Sequence, residues 1–270
     1  MRKSSLKRFY FFLIIALLLT LLAALGPILT PMDPNEINLN KILHPPDRNN
    51  IFGTDRLGRD VLSRILYGSH NSFILPMAVV LFTACIGMSI GMTAGYLGGA
   101  LDTIAMQIAD MLLAFPAVVF VIAITGIWGI GVNHTLTSLA VISWAKYARL
   151  TRMLVADIRQ REYITHALFS GARWYQVILN YIIPNIIPQL LIMAILDVGE
   201  MILTISALSF LGLVGRTTTP EWGRMLAENR GSIMTRPYLM IFPALVLAVT
   251  IIIFNMLGDS LRDLLDPREG

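Results

Sequence analysis

Apolar residues in this chain come in long, nearly unbroken blocks rather than in the spaced stripes of a water-soluble fold. About 20 apolar residues coiled as helix cross a hydrocarbon bilayer. Six segments meet that length, near 9–29, 73–97, 104–129, 135–155, 182–213 and 238–258. The fifth is long enough to bend or to extend beyond the bilayer. The period-two alternation of a transmembrane β-barrel is missing. The pattern therefore predicts an all-α integral membrane protein with about six transmembrane helices.

Polar residues collect between these blocks. Arg2, Lys3, Lys7 and Arg8 precede the first. Its apolar run, about 20 residues, exceeds the 7–15 of a secretory leader, so it reads as a retained span. Lys146, Arg149, Arg152, Arg159, Arg161 and Arg173 surround the fourth-to-fifth connection. By the positive-inside rule, an even span count puts both termini and that connection in the cytoplasm. Two substantial segments then face outward: residues 31–72, and VGRTTTPEWGRMLAENRGSIMTRP before the last span. The organisation is a tail and first helix over 1–30, an outer loop over 31–72, and a core membrane domain over 73–270 with a cytoplasmic loop at 157–181. Gly87, Gly91 and Gly95 recur every four residues, which sets small residues on one helix face and lets another helix approach closely. Pro116 and Pro243 lie inside spans and predict kinks.

Composition agrees with a lipid solvent. Of 270 residues, 56% are hydrophobic and only 14% charged, against about 25% charged in soluble domains. The net charge of +4 is carried beside apolar spans, without the aromatic–basic pattern of a nucleic-acid binder. The single cysteine, Cys85, excludes an internal disulfide or Cys-rich metal site and reads as a small buried side chain.

Catalytic chemistry finds little support. Gly87–Gly91 matches G-x-S-x-G, but Ser89 sits inside a continuous span where no strand-to-helix elbow is expected. His44, His70, His134 and His166 fall in or near loops. Neither H-E-x-x-H nor the G-x-x-x-x-G-K-[ST] phosphate cradle occurs, so any ATP that drives this protein binds another chain. An intramembrane serine hydrolase and an ion-gradient-driven secondary transporter remain as rival classes.

The segment REYITHALFSGARWYQVILNYIIPNIIP, from Arg161 to Pro188, stands out for its polarity. A short helix near 159–174, a turn at Gly171 and a proline early in the next helix fit either an ordinary interfacial helix or a lever seated in a groove on a moving partner. This segment resembles the coupling motif of ATP-binding-cassette importer permeases: E-A-A, three residues, Gly, about nine residues, then an Ile-x-Leu-Pro-like ending. Thr165-His166-Ala167 stands in place of E-A-A, Gly171 at the glycine, and Tyr181-Ile182-Ile183-Pro184 at the ending. Thr165 and His166 depart from the pattern.

FGTDRLGRDVLSRILYG, AGYLGGALDTIAMQIADMLLAFP, SWAKYARLTRMLVADIRQREYI, ALSFLGL, PEWGRM and GDSLRDLLDP are likewise similar to the dipeptide, oligopeptide and nickel permeases, and to the second permease of each pair. The resemblance implies an importer-type permease fold with a cytoplasmic coupling helix. It implies a heterodimer with another permease, two ATPase subunits that bind ATP and Mg, and a solute-binding protein outside. No cofactor is expected on this chain itself. Glu162, Tyr163, Thr165, His166, Ala167, Gly171 and Ala172 are the implied coupling residues.

Charged residues within spans are the best clue to a pathway, because each costs about 2.5–3.5 kcal/mol at a helix centre. Asp197 and Glu200 are three apart on the fifth span, and Asp110 lies near the start of the third. Structural pairing with arginine or backbone donors is one account. A stretch favouring a weakly held metal ion, a cationic metal chelate or a peptide amine is the other; two carboxylates alone are a poor high-affinity metal cage. Many peptide permeases carry Glu-Ala-Ala before Leu-Ser-Phe-Leu-Gly, where this chain has Ile205-Ser206-Ala207. LDVGEMIL resembles the nickel branch instead, so nickel or a metal–metallophore complex is favoured over a peptide. The 14 methionines read as core filler.

Overall fold

A proline cannot donate to the carbonyl four residues back, and its ring crowds that carbonyl. The two longest helical runs show how the chain absorbs this. In the computed structural model, which describes residues 2–215 and 219–265, helix α2 (Val61–Ser69) passes through a π-helical turn, His70–Ile74, into α3 (Leu75–Leu97). Helix α8 (Trp174–Val177) likewise passes through a π turn, Ile178–Ile182, into α9 (Ile183–Phe210). Pro76 and Pro184 stand second in α3 and α9. In each case the widened turn lies just where the proline leaves a carbonyl unpaired. Both runs are continuous and 37 residues long. The 31–72 segment, expected as a loop, therefore ends in helix, and the fifth span begins at Trp174.

The other elements are α1 (Arg2–Leu29), α4 (Gly99–Leu113), α5 (Ala117–Trp128), α6 (Val132–Arg159), α7 (Glu162–Phe169), α10 (Trp222–Asn229) and α11 (Tyr238–Leu265). Among the described residues four helices are long and apolar enough to span a membrane: α1, α2–α3, α8–α9 and α11; α4 and α5, bent by 87° at the break between them, meet that test only as a pair. Pro116 thus produces a break rather than a kink. It sits just ahead of α5, where its carbonyl accepts from Phe120 N–H at 3.1 Å and its missing N–H costs nothing. Pro243 lies within α11, which continues to Leu265. α6 forms where the fourth span was expected, but Lys146, Arg149, Arg152 and Arg159 leave it outside the apolar set.

The chain divides into two compact units: Met1–Ala78 with Ile124–Thr135 and Ile195–Gly270, and Val79–Ala123 with Leu136–Ala194. In the first, α1 packs on α2 and α11, and α10 on α11. Phe52 stacks on Phe242 at 4.1 Å, and Phe73 meets Phe254 at 5.3 Å. In the second, the Gly87, Gly91 and Gly95 face lies against α6, as its spacing predicts. A Cβ at Gly87 would stand 2.5 Å from the Trp144 carbonyl oxygen, and one at Gly95 2.8 Å from that of Arg152. Cys85, expected to be buried, is exposed on α3, as lipid-facing positions can be. Arg216–Thr218 of the second outward segment, and Asp266 and Pro267 of the closing motif, lie outside the described residues.

Candidate functional site

The polar segment after α6 folds as a short helix with a defined stop. Arg161 is extended at φ −75°, ψ 143° and ends the preceding helix; its guanidinium donates to Asp157 at 2.8 Å. Glu162 opens α7, where a carboxylate meets the positive end of the helix dipole. Ile164 is buried and anchors the helix. Thr165 and His166 are exposed, and Ala167 is partly covered. The Tyr163 ring lies 6.3 Å from that of Tyr181.

Gly171 terminates α7. Ala172 N–H donates to the Ala167 carbonyl and Gly171 N–H to that of Leu168, both at 3.0 Å, with Gly171 at φ +87°. These paired bonds are a Schellman stop, and the left-handed residue within it favours glycine. A Cβ at Gly171 would meet no atom within 4 Å, so the requirement is conformational rather than steric. Arg173 N–H then donates to Gln176 Oε1 at 2.7 Å, starting α8. Phe169 is 86% exposed and Trp174 64%, with Leu168 and Tyr175 also open. This aromatic surface was not anticipated from the sequence.

The intramembrane acids separate. Asp197 is 3% exposed, whereas Glu200, one turn on, is exposed. Asp110 sits in the last turn of α4, rather than at the start of a continuous span, and forms an ion pair with Arg149. Among the described residues no group of three or more His, Cys, Asp or Glu is placed to hold a metal ion. Ser89 Oγ donates to the Cys85 carbonyl at 2.8 Å within α3, so the nucleophile motif is plain helix.

A second polar constellation lies in the first unit. Asp60 caps α2, accepting from Ser63 N–H at 2.8 Å. Asp55 accepts from Arg59 Nε at 2.7 Å and Arg64 Nη1 at 2.5 Å, and both arginines reach Glu228 of α10 at 2.9 Å. Arg56 donates to Ser232 at 2.9 Å. Glu221 caps α10, accepting from the N–H groups of Gly223 and Arg224 at 2.9 Å each; Ser72 and Ser206 donate to it at 3.4 Å. Ser72, in the π turn, also accepts from Trp222 N–H at 2.9 Å. Burial pushes the Glu221 carboxyl above the usual carboxylate range. Only the four-residue spacings Asp55–Arg59 and Arg224–Glu228 hinted at this network.

Comparison with known proteins places these features. Residues 87–270 match the family "Binding-protein-dependent transport system inner membrane component". Residues 6–46 match "N-terminal TM domain of oligopeptide transport permease C". The chain is 39% identical to "Nickel transport system permease protein NikC" of Escherichia coli (strain K12), over 94% of this chain and 92% of that one. It is 34% identical to "Dipeptide transport system permease protein DppC" of Haemophilus influenzae, over 98% and 96%. It is 36% identical to "Glutathione transport system permease protein GsiD" of Pectobacterium atrosepticum, over 93% and 84%. In fold it is similar to the inward-facing MetNI methionine ABC transporter, with a TM-score of 0.58 at 16% identity, over 75% of this chain and 97% of that one.

Proposed function

We propose, from the premise that this chain belongs to the family of binding-protein-dependent transport system inner membrane components, that it is one of two permease subunits of an ATP-driven importer, and that its solute is nickel or a metal–metallophore complex. The observation that carries the coupling role is the Schellman stop at Gly171. It holds a short helix with Phe169 and Trp174 turned outward, a surface suited to a groove on a partner ATPase. ATP and Mg bind those ATPases. Their closure pushes α7, and α6 and the α8–α9 run leave α7 on either side. Rocking of helices about a central pathway then exposes it to alternate faces of the membrane. Both termini and α7 lie on the cytoplasmic side of the inner membrane of a bacterium or archaeon, and a solute-binding protein docks outside on the region containing Asp55 and Glu228.

The nickel reading is supported by the 39% identity to a nickel permease and by Asp197 and Glu200 on one span. It requires no metal cage in this chain, since a weakly held ion or chelate passes without one. A peptide is the second reading, favoured by the near-equal identity to dipeptide and glutathione permeases. Uptake of radioactive nickel and of a labelled dipeptide in cells lacking only this subunit separates them. Loss of nickel uptake alone supports the first reading, and loss of dipeptide uptake alone overturns it.

A further inference from the structure

Two guanidiniums on α6 face two carboxylates on α4, all within the second unit. Arg152 Nε donates to Asp102 Oδ1 at 2.8 Å and Arg152 Nη2 to Asp102 Oδ2 at 2.5 Å, a bidentate clamp. Arg149 Nη2 makes a single contact with Asp110 Oδ1. Met106, Gln107 and Met153 complete an open groove of about 510 Å³ between the pairs. Burial does not explain the Arg149–Asp110 pair, whose side chains are each 54% exposed, whereas at the clamp the Asp102 side chain is 16% exposed and that of Arg152 41%. Bringing charges together between helices carries a desolvation cost, so plain apolar packing would have been the cheaper way to fold α4 on α6.

What the ion pairs supply is adhesion. Between helices in lipid there is no hydrophobic drive, and contact depends on close packing or polar glue. α3 meets α6 by close packing, through its glycine face. α4 meets it through the two ion pairs. Arg159, at the end of α6, also lies over the Tyr96 ring of α3 at 5.4 Å, and α7 starts three residues later. α6 is therefore the bar that leads from the coupling helix to both neighbours, each attached by a different device.

We infer that Asp102–Arg152 and Asp110–Arg149 tie α4 to α6, so that movement of the coupling helix is passed to α4 and the broken span beyond it. These are positioning residues for coupled transport, and the inference rests on the proposed permease function. The bidentate pair is the fixed point; the single, half-exposed contact is the one that can open and re-form as α4 swings.

The test uses the complete transporter reconstituted in vesicles, with nickel chloride and dialanine as probes. Asp102→Asn and Arg152→Gln are expected to leave subunit assembly and ATP hydrolysis intact while lowering solute moved per ATP about tenfold. The exchange Asp102→Arg with Arg152→Asp is expected to restore most of it. A solute-independent readout comes from spin labels at exposed Ile104 on α4 and Met153 on α6, in a Cys85→Ser background. Their separation should hold through vanadate trapping in the parent chain and spread in Asp102→Asn. An unchanged transport ratio together with an unchanged label distance in the single variants overturns the tie. A parent complex that shows no response of its labels or its uptake to ATP overturns the permease reading instead.

Discussion

The Arg64 guanidinium donates to the Asp55 carboxylate at 2.5 Å, and both side chains are only 3% exposed. Arg59 shares the same carboxylate and Glu228 the same guanidinium, so α2 and α10 are fastened by a four-charge network. Removing one partner of a buried pair strands the other, at about 3–5 kcal/mol. Asp55→Ala leaves two arginines to share Glu228 alone and is expected to lower the thermal midpoint of the purified transporter well beyond Asp33→Ala, an exposed control. Equal midpoints for the two variants would show the network to be ornamental.

At Gly171 the backbone and the partner surface make separable demands. Alanine there strains a left-handed position by about 1 kcal/mol but meets no neighbour within 4 Å. Gly171→Ala is expected to retain most uptake, while Gly171→Asp retains membrane insertion and loses uptake, with ATP hydrolysis uncoupled. Normal uptake by Gly171→Asp contradicts the lever.

Glu221 gives the N-terminal cap of α10 a pH dependence of defined sign. Burial raises its carboxyl above the ordinary glutamate value of about 4.5, so the folded chain binds its proton more tightly than the unfolded chain. Stability from this group is full below pH 4.5 and declines as pH rises toward the raised folded value. Glu221→Gln is expected to flatten that slope in thermal unfolding measured across the acidic range. Persistence of the same slope in the variant assigns it elsewhere.

Close packing of α3 on α6 leaves no room at its centre. A Cβ at Gly91 would press on the Ala148 carbonyl and lie 2.7 Å from Thr151 Cβ. Gly91→Val is expected to cost about 1–3 kcal/mol of overpacking and to reduce the amount of assembled transporter in membranes. Ser89→Ala, two residues away and bonded only within its own helix, should leave assembly and uptake unchanged. Quantitative immunoblotting of membrane fractions distinguishes them.

Local signals in the sequence announce parts of the fold, and distant ones do not. The four-residue glycine repeat announced the α3–α6 contact, because a helix face follows from spacing alone. Gly171 announced a turn for the same local reason. The Asp102–Arg152 clamp joins residues 50 apart, and Arg64–Glu228 joins residues 164 apart; no spacing rule reaches that far. Pro116 was visible as a disturbance, but whether a proline bends or breaks a span depends on what receives the freed carbonyls. Cys85 is exposed although its neighbours are apolar, because burial of apolar side chains is the rule in water and not where the solvent is lipid.

The two 37-residue runs have a consequence for how force travels. Each is about 55 Å long at 1.5 Å per residue, against a hydrocarbon core of about 30 Å. Much of each rod must overhang the bilayer, and for one of them the overhang begins at Trp174, beside α7. No loose joint lies between that exposed tip and Phe210 at the far end. A push delivered to the tip enters one continuous helical run, whose places able to yield are the π turn before Pro184 and the helix turn interrupted by Pro188.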